Sequence, residues 1–185
     1  MFNKILVANR GEIACRIMQT ADRLGVATVA IFSDSDADAL HVRMACEKIH
    51  IGPSPVSESY LRGAKIIDAA KTTGAEAIHP GYGFLSENPD FAEAVNQAGL
   101  RFIGPSAKAI RSMGAKDNAK KIMEKANVPV LPGYYGTDQS LQCLVKSSNN
   151  IGYPVLLKAV LGGGGKGMRV VENEDELPDA VEAVK

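Results

Sequence analysis

A run of glycines and lysines in the last third of the sequence has the composition of a polyphosphate-binding loop. Residues 162–167 read GGGGKG and lie between strand-like runs at 154–160 and 168–171, the first of which contains Lys158. Glycine tolerates positive φ and close approach of a ligand, and successive backbone N–H groups in such turns form a concave site for anions. Phosphate is therefore the first ligand that this segment suggests. A flexible turn without a ligand is the alternative.

The glycine run fits neither of two common nucleotide-binding motifs. Gly162, Gly164 and Gly167 formally satisfy G-x-G-x-x-G, but that fingerprint requires a helix directly after the glycines, and here a strand-like segment follows. The run also lacks the G-K-[ST] ending with which a Walker A loop holds phosphate and magnesium. The pattern instead predicts a β-hairpin over residues 154–171 with the glycines at its tip.

A second segment with chemically versatile side chains covers residues 79–88, which read HPGYGFLSEN. An imidazole, a phenol and a carboxylate occur there with two glycines, a variety that a purely structural turn seldom needs. The structural alternatives are a satisfied core histidine at His79 and a packing residue at Tyr82. A shorter loop, residues 9–12 (NRGE), keeps only Gly11 where a phosphate-binding Rossmann protein has three glycines. Arg10 and Glu12 could simply pair with each other at the start of the helix.

Alternating strand and helix patterns must position these loops. Apolar runs predict strands at residues 4–8, 27–32, 48–51, 75–79 and 101–103. Helical spacing predicts helices at 13–24 and 60–71, and Asn88 as N-cap with Pro89 after it predicts a third helix to about residue 98. This alternation predicts an α/β fold with a helix-covered parallel sheet. Ligands of such sheets bind beyond the carboxyl ends of the strands, which is where both loops lie.

The pattern changes after a short helix predicted at residues 106–113. Gly114 ends that helix, Asp117 can cap another one to about residue 126, and residues 137–150 are loosely patterned. After the hairpin, Asn173 and Glu176 have capping-box spacing before a last helix. We place a domain boundary here, which gives domains of residues 1–113 and 114–185. The second has too little sequence to bury its hairpin and helix, so we expect it to be incomplete.

Composition limits the class of partner. The 185 residues carry 21 basic and 21 acidic side chains, a balance that argues against binding to nucleic acid or to an anionic membrane. No stretch reaches the roughly 18 apolar residues of a membrane span, and nothing suggests export, so we expect a cytoplasmic protein. The three cysteines show no C-x-x-C spacing, which indicates neither a disulfide framework nor a zinc site. We expect reduced, mostly buried thiols.

Four motifs in this order resemble biotin carboxylase. They are KILVANRGEIA at 4–14, HPGYGFLSEN at 79–88, FIGP at 102–105, and GYP at 152–154 followed by Lys158 and GGGGKGM at 162–168. The resemblance covers the whole chain. It implies a Rossmann-like N-terminal domain over residues 1–113 and, from about Lys116, a truncated ATP-grasp domain with a glycine-rich hairpin lid. Within the family, residues 133–144 look most like the biotin-containing subunits of methylcrotonyl-CoA carboxylases.

The resemblance implies an ATP-dependent ligase that forms carboxyphosphate from ATP and bicarbonate and carboxylates biotin on a biotinylated carrier domain. The residues that match the family's ATP site are Lys116, Lys158, Gly163, Gly164, Gly165, Lys166, Gly167 and Met168. Those that match its biotin-side loop are Tyr82, Gly83 and Glu87. The family's Mg²⁺ ligands and its bicarbonate-binding arginine fall beyond Lys185. No metal ligand or catalytic residue is therefore assigned, and we expect the chain alone to be inactive.

The resemblance also implies partners and leaves alternatives open. A carboxyltransferase subunit would pass the carboxyl group to an acceptor, methylcrotonyl-CoA or another acyl-CoA, and the full-length protein would form a homodimer or higher oligomer. The alternatives are another ATP-grasp carboligase, such as carbamoyl-phosphate synthetase or a purine-pathway carboxylase, and a non-catalytic dimerisation module. An NAD-linked oxidoreductase is disfavoured because the first β–α loop lacks the glycines that such enzymes need.

Overall fold

The computed structural model of the chain describes residues 1–114, 116–158 and 167–184. Its contacts divide the chain into two compact units, Met1–Ala119 and Lys120–Lys185. The domain boundary expected near residue 113 stays a prediction. No helix in the described ranges approaches the roughly 20 residues of a membrane span, since the longest of them has 13.

The first unit is built on five parallel strands in the order β3-β2-β1-β4-β5. The strands are β1 (Lys4–Val7), β2 (Ala27–Ser33), β3 (Glu47–Gly52), β4 (Ala77–His79) and β5 (Arg101–Phe102). The helices that connect and follow them are α1 (Gly11–Arg23), α2 (Leu40–Met44), α3 (Gly63–Thr72), α4 (Pro89–Gln97) and α5 (Ala107–Gly114). Helix α6 (Lys116–Lys125) spans the division between the two units. The expected α/β fold with a parallel sheet is confirmed.

The central strands are buried on both faces, which explains their continuous apolar sequence. Leu6, Val29 and Ile78 are wholly buried and join one core cluster with Ile66 of α3 and Val95 of α4. On α1, the buried residues Ala14, Met18 and Ala21 recur at helical spacing and form the face that packs against β1 and β2. Burial of these apolar side chains is the main force that holds the sheet to its helices.

The second unit has its own small core beneath a two-stranded sheet. Strands β6 (Val155–Lys158) and β7 (Met168–Val171) pair antiparallel, as the hairpin pattern predicted. Val155 and Val171 are buried against Leu177 and Ala180 of α8 (Leu177–Val184). The predicted cap is confirmed, because Asn173 Oδ1 accepts the Glu176 N–H at 3.3 Å before a short 3₁₀ turn leads into α8.

The structure differs from the sequence analysis at three points. The loosely patterned segment contains helix α7 (Leu141–Ile151), whose N-terminus is capped by Ser140. The helix expected at 60–71 begins only at Gly63, since Tyr60 lies buried in the core before it. The cysteines are free but not mostly buried: Cys46 is exposed, and Cys15 and Cys143 are half-buried.

Candidate functional site

The order of the strands creates a switch point between β1 and β4. The chain moves from β1 to one side of the sheet through β2 and β3, and to the other side through β4 and β5. Ligands of doubly wound sheets bind at such points, beyond the carboxyl ends of the strands. The loops after β1 and β4 meet here, where the Ala8 N–H donates to the His79 carbonyl oxygen at 2.8 Å.

Asn9 joins these two loops through its side chain. Its Nδ2 donates to the carbonyl oxygens of Pro80 and Tyr82, both at 2.8 Å, and its Oδ1 accepts the backbone N–H of Arg10 at 2.9 Å. Asn9 is only 4% exposed. Gly81 lies directly against it, with φ +67° and so little space that an added Cβ would be 2.8 Å from Asn9 Nδ2. The path of the loop between residues 80 and 82 is therefore fixed by Asn9.

Tyr82 is presented to solvent at the tip of this loop. Its side chain is 62% exposed, and its hydroxyl donates to Glu12 Oε1 at the start of α1. This hydrogen bond, followed by the negative charge of Glu12, raises the pKa of the Tyr82 phenol. Gly83 and Glu87 are exposed in the same loop. Tyr82 is thus not a packing residue, and the three biotin-side candidates lie together on one surface loop.

Arg10 pairs with Asp36 and not with Glu12, which corrects the pairing considered from the sequence. Arg10 Nη1 lies 3.2 Å from Asp36 Oδ2, and the same carboxyl oxygen accepts the hydroxyls of Ser33 at 2.7 Å and Tyr60 at 2.8 Å. Desolvation alone would raise the pKa of Asp36, but the hydrogen bonds and the nearby guanidinium outweigh it and lower that pKa. Desolvation, followed by the hydrogen bond to Asp36, raises the pKa of Tyr60.

Residues 80–88 form the loop between β4 and α4, which we call the Tyr82 loop. Asn9 holds its beginning, and Phe84 holds the part that follows Tyr82. Its ring stacks on the ring of Tyr60 with centroids 5.2 Å apart and planes 8° apart. The Arg10 guanidinium lies 5.3 Å from the centroid of Tyr60 and 5.8 Å from that of Phe84, within the range of cation–π attraction. Phe84 has φ +43°, a left-handed conformation that is uncommon for a bulky side chain. The stack therefore holds a strained backbone in place.

His79 has a structural role at the end of β4. The residue is half-buried, and its Nδ1 accepts the Gly81 N–H at 3.1 Å, so this turn depends on the neutral ring. Desolvation lowers the pKa of His79 and keeps that ring neutral. The satisfied-histidine interpretation of the sequence fits this geometry.

The second unit carries the other candidate site, on the hairpin of β6 and β7. Lys158 and Met168 are cross-strand partners, as are Leu156 and Val170. Because side chains alternate along a strand, these four residues share the face opposite the buried pair of Val155 and Val171. Lys158 is exposed, Met168 is 47% exposed, Leu156 47% and Val170 55%. The described part of the hairpin thus presents an apolar strip that ends in the ammonium group of Lys158.

Several predicted ATP-site residues cannot be placed in this way. Gly163, Gly164, Gly165 and Lys166 lie outside the described residues, as does the side chain of Lys116, whose backbone belongs to α6. Gly167 is exposed with φ +71°, directly before the start of β7. In the second unit, the structure therefore brings Lys158 and Met168 together.

Sequence reasoning missed Asn9, Asp36 and Tyr60. Asn9 and Asp36 follow strands β1 and β2, at the carboxyl edge where ligand loops gather, and that position was the available signal. Tyr60 gave no such signal, because its contact with Asp36 is long-range.

The described ranges contain no group of three or more histidine, cysteine, aspartate or glutamate side chains that could hold a metal ion. Magnesium prefers carboxylates together with phosphate oxygens and water. We assign no magnesium ligand among the residues of these ranges and derive no step through a metal from them.

Comparison with known proteins agrees with these features. The family model described as the N-terminal domain of biotin carboxylase matches residues 1–110, and the model for the ATP-binding domain of the carbamoyl-phosphate synthase L chain matches residues 115–185. The chain is 60% identical over 182 residues to the alpha subunit of mitochondrial methylcrotonoyl-CoA carboxylase from Dictyostelium discoideum, covering 98% of this chain and 26% of that protein. It is 54% identical over 185 residues to the propionyl-CoA carboxylase alpha chain of Ruegeria pomeroyi, covering 100% and 27%.

Among solved structures, the chain is similar to the biotin carboxylase domain dimer of Hydrogenobacter thermophilus 2-oxoglutarate carboxylase, in complex with MgADP, ADP and bicarbonate. The TM-score is 0.89 and the identity 48%, over 100% of this chain and 40% of that one. The chain spans about a quarter of the length of the two curated relatives.

Proposed function

Because this chain belongs to the biotin carboxylase N-terminal domain family, we propose that the product of its complete gene uses ATP and bicarbonate to carboxylate biotin through carboxyphosphate. The chain would supply the Rossmann-like N-terminal domain and the beginning of the ATP-grasp domain. By itself it would be inactive, since the metal and bicarbonate ligands are not assigned to any of its residues.

The exposed face of the hairpin is the observation that carries this proposal. An apolar strip of Leu156, Met168 and Val170 beside the ammonium group of Lys158 matches the two halves of a nucleotide, an apolar base and a charged phosphate chain. The sequence places the glycine run between the same two strands. The structure of the Hydrogenobacter relative contains ADP, which is a product of this reaction, and bicarbonate, which is one of its substrates.

We assign the phosphate-binding role to lysines and main-chain amides. Phosphoryl transfer needs little covalent chemistry from a protein, so catalysis depends on positioning and on neutralising charge. Lys158 and Lys116 would contact the phosphates, the amides of 163–167 with Lys166 would cover them, and Met168 would contact the nucleotide. When bound, Mg²⁺ would neutralise further charge on the phosphates.

We assign biotin recognition to the Tyr82 loop. This loop exposes Tyr82, Gly83 and Glu87. The contacts of Asn9 and Phe84 hold the segment around Tyr82 in place, so that it can present a binding surface. Biotin would arrive on a biotinylated carrier domain, and a carboxyltransferase subunit would use the carboxylated product. The 60% identity to a methylcrotonoyl-CoA carboxylase subunit supports methylcrotonyl-CoA as the final acceptor, with another acyl-CoA as the alternative.

The first test is ADP release by the complete gene product with bicarbonate, with free biotin added or withheld. We expect biotin to stimulate release, and Lys158→Ala to reduce the stimulated rate by about 100-fold, since removing one preorganised charge donor typically has that effect. Lys146→Ala is the matched control, because Lys146 is an exposed lysine of α7 in the same unit. It should leave the rate unchanged.

Two outcomes would contradict the proposal. ADP release that ignores biotin would favour another ATP-grasp carboligase, a possibility that the match to the carbamoyl-phosphate synthase ATP-binding model keeps open. No ADP release under any condition would favour the non-catalytic dimerisation module.

A further inference from the structure

We propose that Asn9 is a positioning residue that holds the Tyr82 loop in the shape required to bind biotin. This inference rests on the proposed function for its substrate. The geometry on which it stands belongs to the first unit alone. Asn9 would act entirely through the main chain of residues 80–82, without contacting the substrate.

The contacts of Asn9 require a primary amide. Its Nδ2 serves two carbonyl oxygens of one loop while its Oδ1 accepts a backbone N–H of the other. Aspartate has the same shape but only acceptor oxygens, so it would place a negative charge against the carbonyls of Pro80 and Tyr82. Alanine would leave those carbonyls without this donor, and little water could replace it, because Asn9 is only 4% exposed. Neither substitution can reproduce the hydrogen bonds of the Asn9 amide.

The loop needs contacts from outside itself because of the backbone conformations of residues 81–84. Gly81 and Gly83 have φ +67° and Phe84 has φ +43°, so three of four consecutive residues are left-handed. Glycine adopts positive φ readily, but it adopts many other conformations as well, so Gly81 and Gly83 do not fix the path of the loop by themselves. The left-handed conformation of Phe84 persists only when its surroundings determine it. The Tyr60 stack determines the position of Phe84. Asn9 determines the residues before it, and Tyr82 lies between the two anchors.

The consequence for binding is a lower entropic cost. A loop that already has its bound shape loses little conformational freedom when the ligand arrives, and this improves affinity without any new contact. Loss of the Asn9 amide should therefore weaken biotin binding while leaving the ATP-directed steps intact. This separates positioning from a general loss of structure.

Fluorotyrosine placed at position 82 of the complete gene product gives a single ¹⁹F signal for the loop. Its phenol should titrate above the ordinary value for fluorotyrosine, because its hydroxyl donates a hydrogen bond to Glu12. We expect Asn9→Ala to broaden this signal and to bring the titration midpoint back toward the ordinary value, since Tyr82 would no longer be held against Glu12. Gly81→Ala, whose Cβ would displace Asn9 Nδ2, should act in the same direction.

The kinetic test uses the same proteins. Asn9→Ala should raise the KM for free biotin about tenfold, a change that corresponds to about 1.4 kcal/mol. The biotin-independent rate of ATP cleavage should stay within about twofold of that of the unmodified protein. Asn3→Ala is the matched control. Asn3 joins the same pair of strands at the opposite edge of the sheet, where its Nδ2 donates to Glu76 Oε1 at 2.8 Å. It should change neither the ¹⁹F titration nor the KM.

The outcomes separate this inference from the proposed function. If the unmodified protein shows no biotin-stimulated ADP release, the proposed function fails, and biotin positioning by Asn9 fails with it even if the ¹⁹F signal responds. If stimulation is present but folded Asn9→Ala and Gly81→Ala proteins keep the original titration and KM, the positioning role alone is overturned. Should Asn9→Ala not fold, Gly81→Ala decides by the same two measurements.

Discussion

At the scale of single residues, His41 and His79 make the stability of the first unit depend on pH. His41 of α2 is completely buried and its Nε2 lies 3.3 Å from the Ile31 carbonyl oxygen, while its Nδ1 has no hydrogen-bond partner among the described residues. Desolvation lowers the pKa of His41, and it lowers that of the half-buried His79 as well. Both rings are therefore neutral in the folded protein at neutral pH.

We predict that the free energy of unfolding decreases as the pH falls from 7.5 to 5.5. Histidine in the unfolded chain has a pKa of about 6.5, so below that pH the unfolded chain binds protons while the two rings in the folded protein stay neutral. The stabilisation present above that pH is therefore lost on acidification. The slope approaches about 1.4 kcal/mol per pH unit for each such histidine. Urea denaturation at several pH values measures it. His41→Leu should flatten the dependence, and Gln97→Ala, which removes no titratable group from the exposed end of α4, should not. Stability that is flat or increases on acidification in this range would contradict the prediction.

The sequence identified the exposed residues of the candidate sites better than the buried ones that hold them. Tyr82 and Lys158 could be named because their motifs are contiguous in the chain. Asp36 and Tyr60 could not, because their contact joins the end of β2 to the segment before α3 and depends on how the sheet folds. Asn9 lay inside a recognised motif, but its two long-range carbonyl partners gave it no signal of its own.

At the scale of elements, local chemistry at helix ends decided which helices could be predicted. Asn88 and Pro89 marked the start of α4, and Asn88 Oδ1 indeed accepts the Phe91 N–H at 2.9 Å. Helix α7 escaped prediction because its last turns contain Ser147, Ser148, Asn149 and Asn150, residues that favour turns over helix interiors. Packing of Leu144 and Val145 against the second core overrides that local preference.

We predict that Asn88→Ala destabilises the first unit by about 1 kcal/mol, the usual cost of losing an N-cap. The Phe91 N–H would lose its acceptor at the N-terminus of α4, and Phe91 is a core residue. Thermal or denaturant unfolding measures the change. Gln97→Ala, at the exposed last position of the same helix, is the control and should change stability by less than about 0.5 kcal/mol. Equal effects of the two substitutions would argue against a capping role.

At the scale of the whole molecule, family and fold class could be predicted because separate motifs agreed along the entire chain. The order β3-β2-β1-β4-β5 could not, since alternating patterns predict a parallel sheet without saying which strands are neighbours. The cytoplasmic location, the domain boundary and the roles of the site residues stay predictions. The lengths of the curated relatives, about four times that of this chain, make the complete gene product the proper subject of activity measurements.

We predict that residues 1–114 fold without the rest of the chain. All three core clusters of the first unit, and all five strands of its sheet, lie within that range. A protein of residues 1–114 should therefore unfold cooperatively and keep slowly exchanging amides in β1, β2 and β4. Residues 1–75 form the control, because they lack β4 and would expose Leu6 and Val7 of β1. A non-cooperative transition for residues 1–114 would show that the unit depends on residues 115–185 for its stability.

The central position of β1 also sets the order in which the sheet is easiest to assemble. Lys4 pairs with Ala27, 23 residues away, whereas Ile5 pairs with Ala77, 72 residues away. Closing the longer loop in an otherwise disordered chain costs about 1 kcal/mol more in entropy, because the cost rises with the logarithm of loop length. The β1-α1-β2 portion is therefore the folding nucleus that loses less chain entropy when it forms. The two loops that Asn9 joins come together only in the later, costlier step, when β4 docks on the other side of β1.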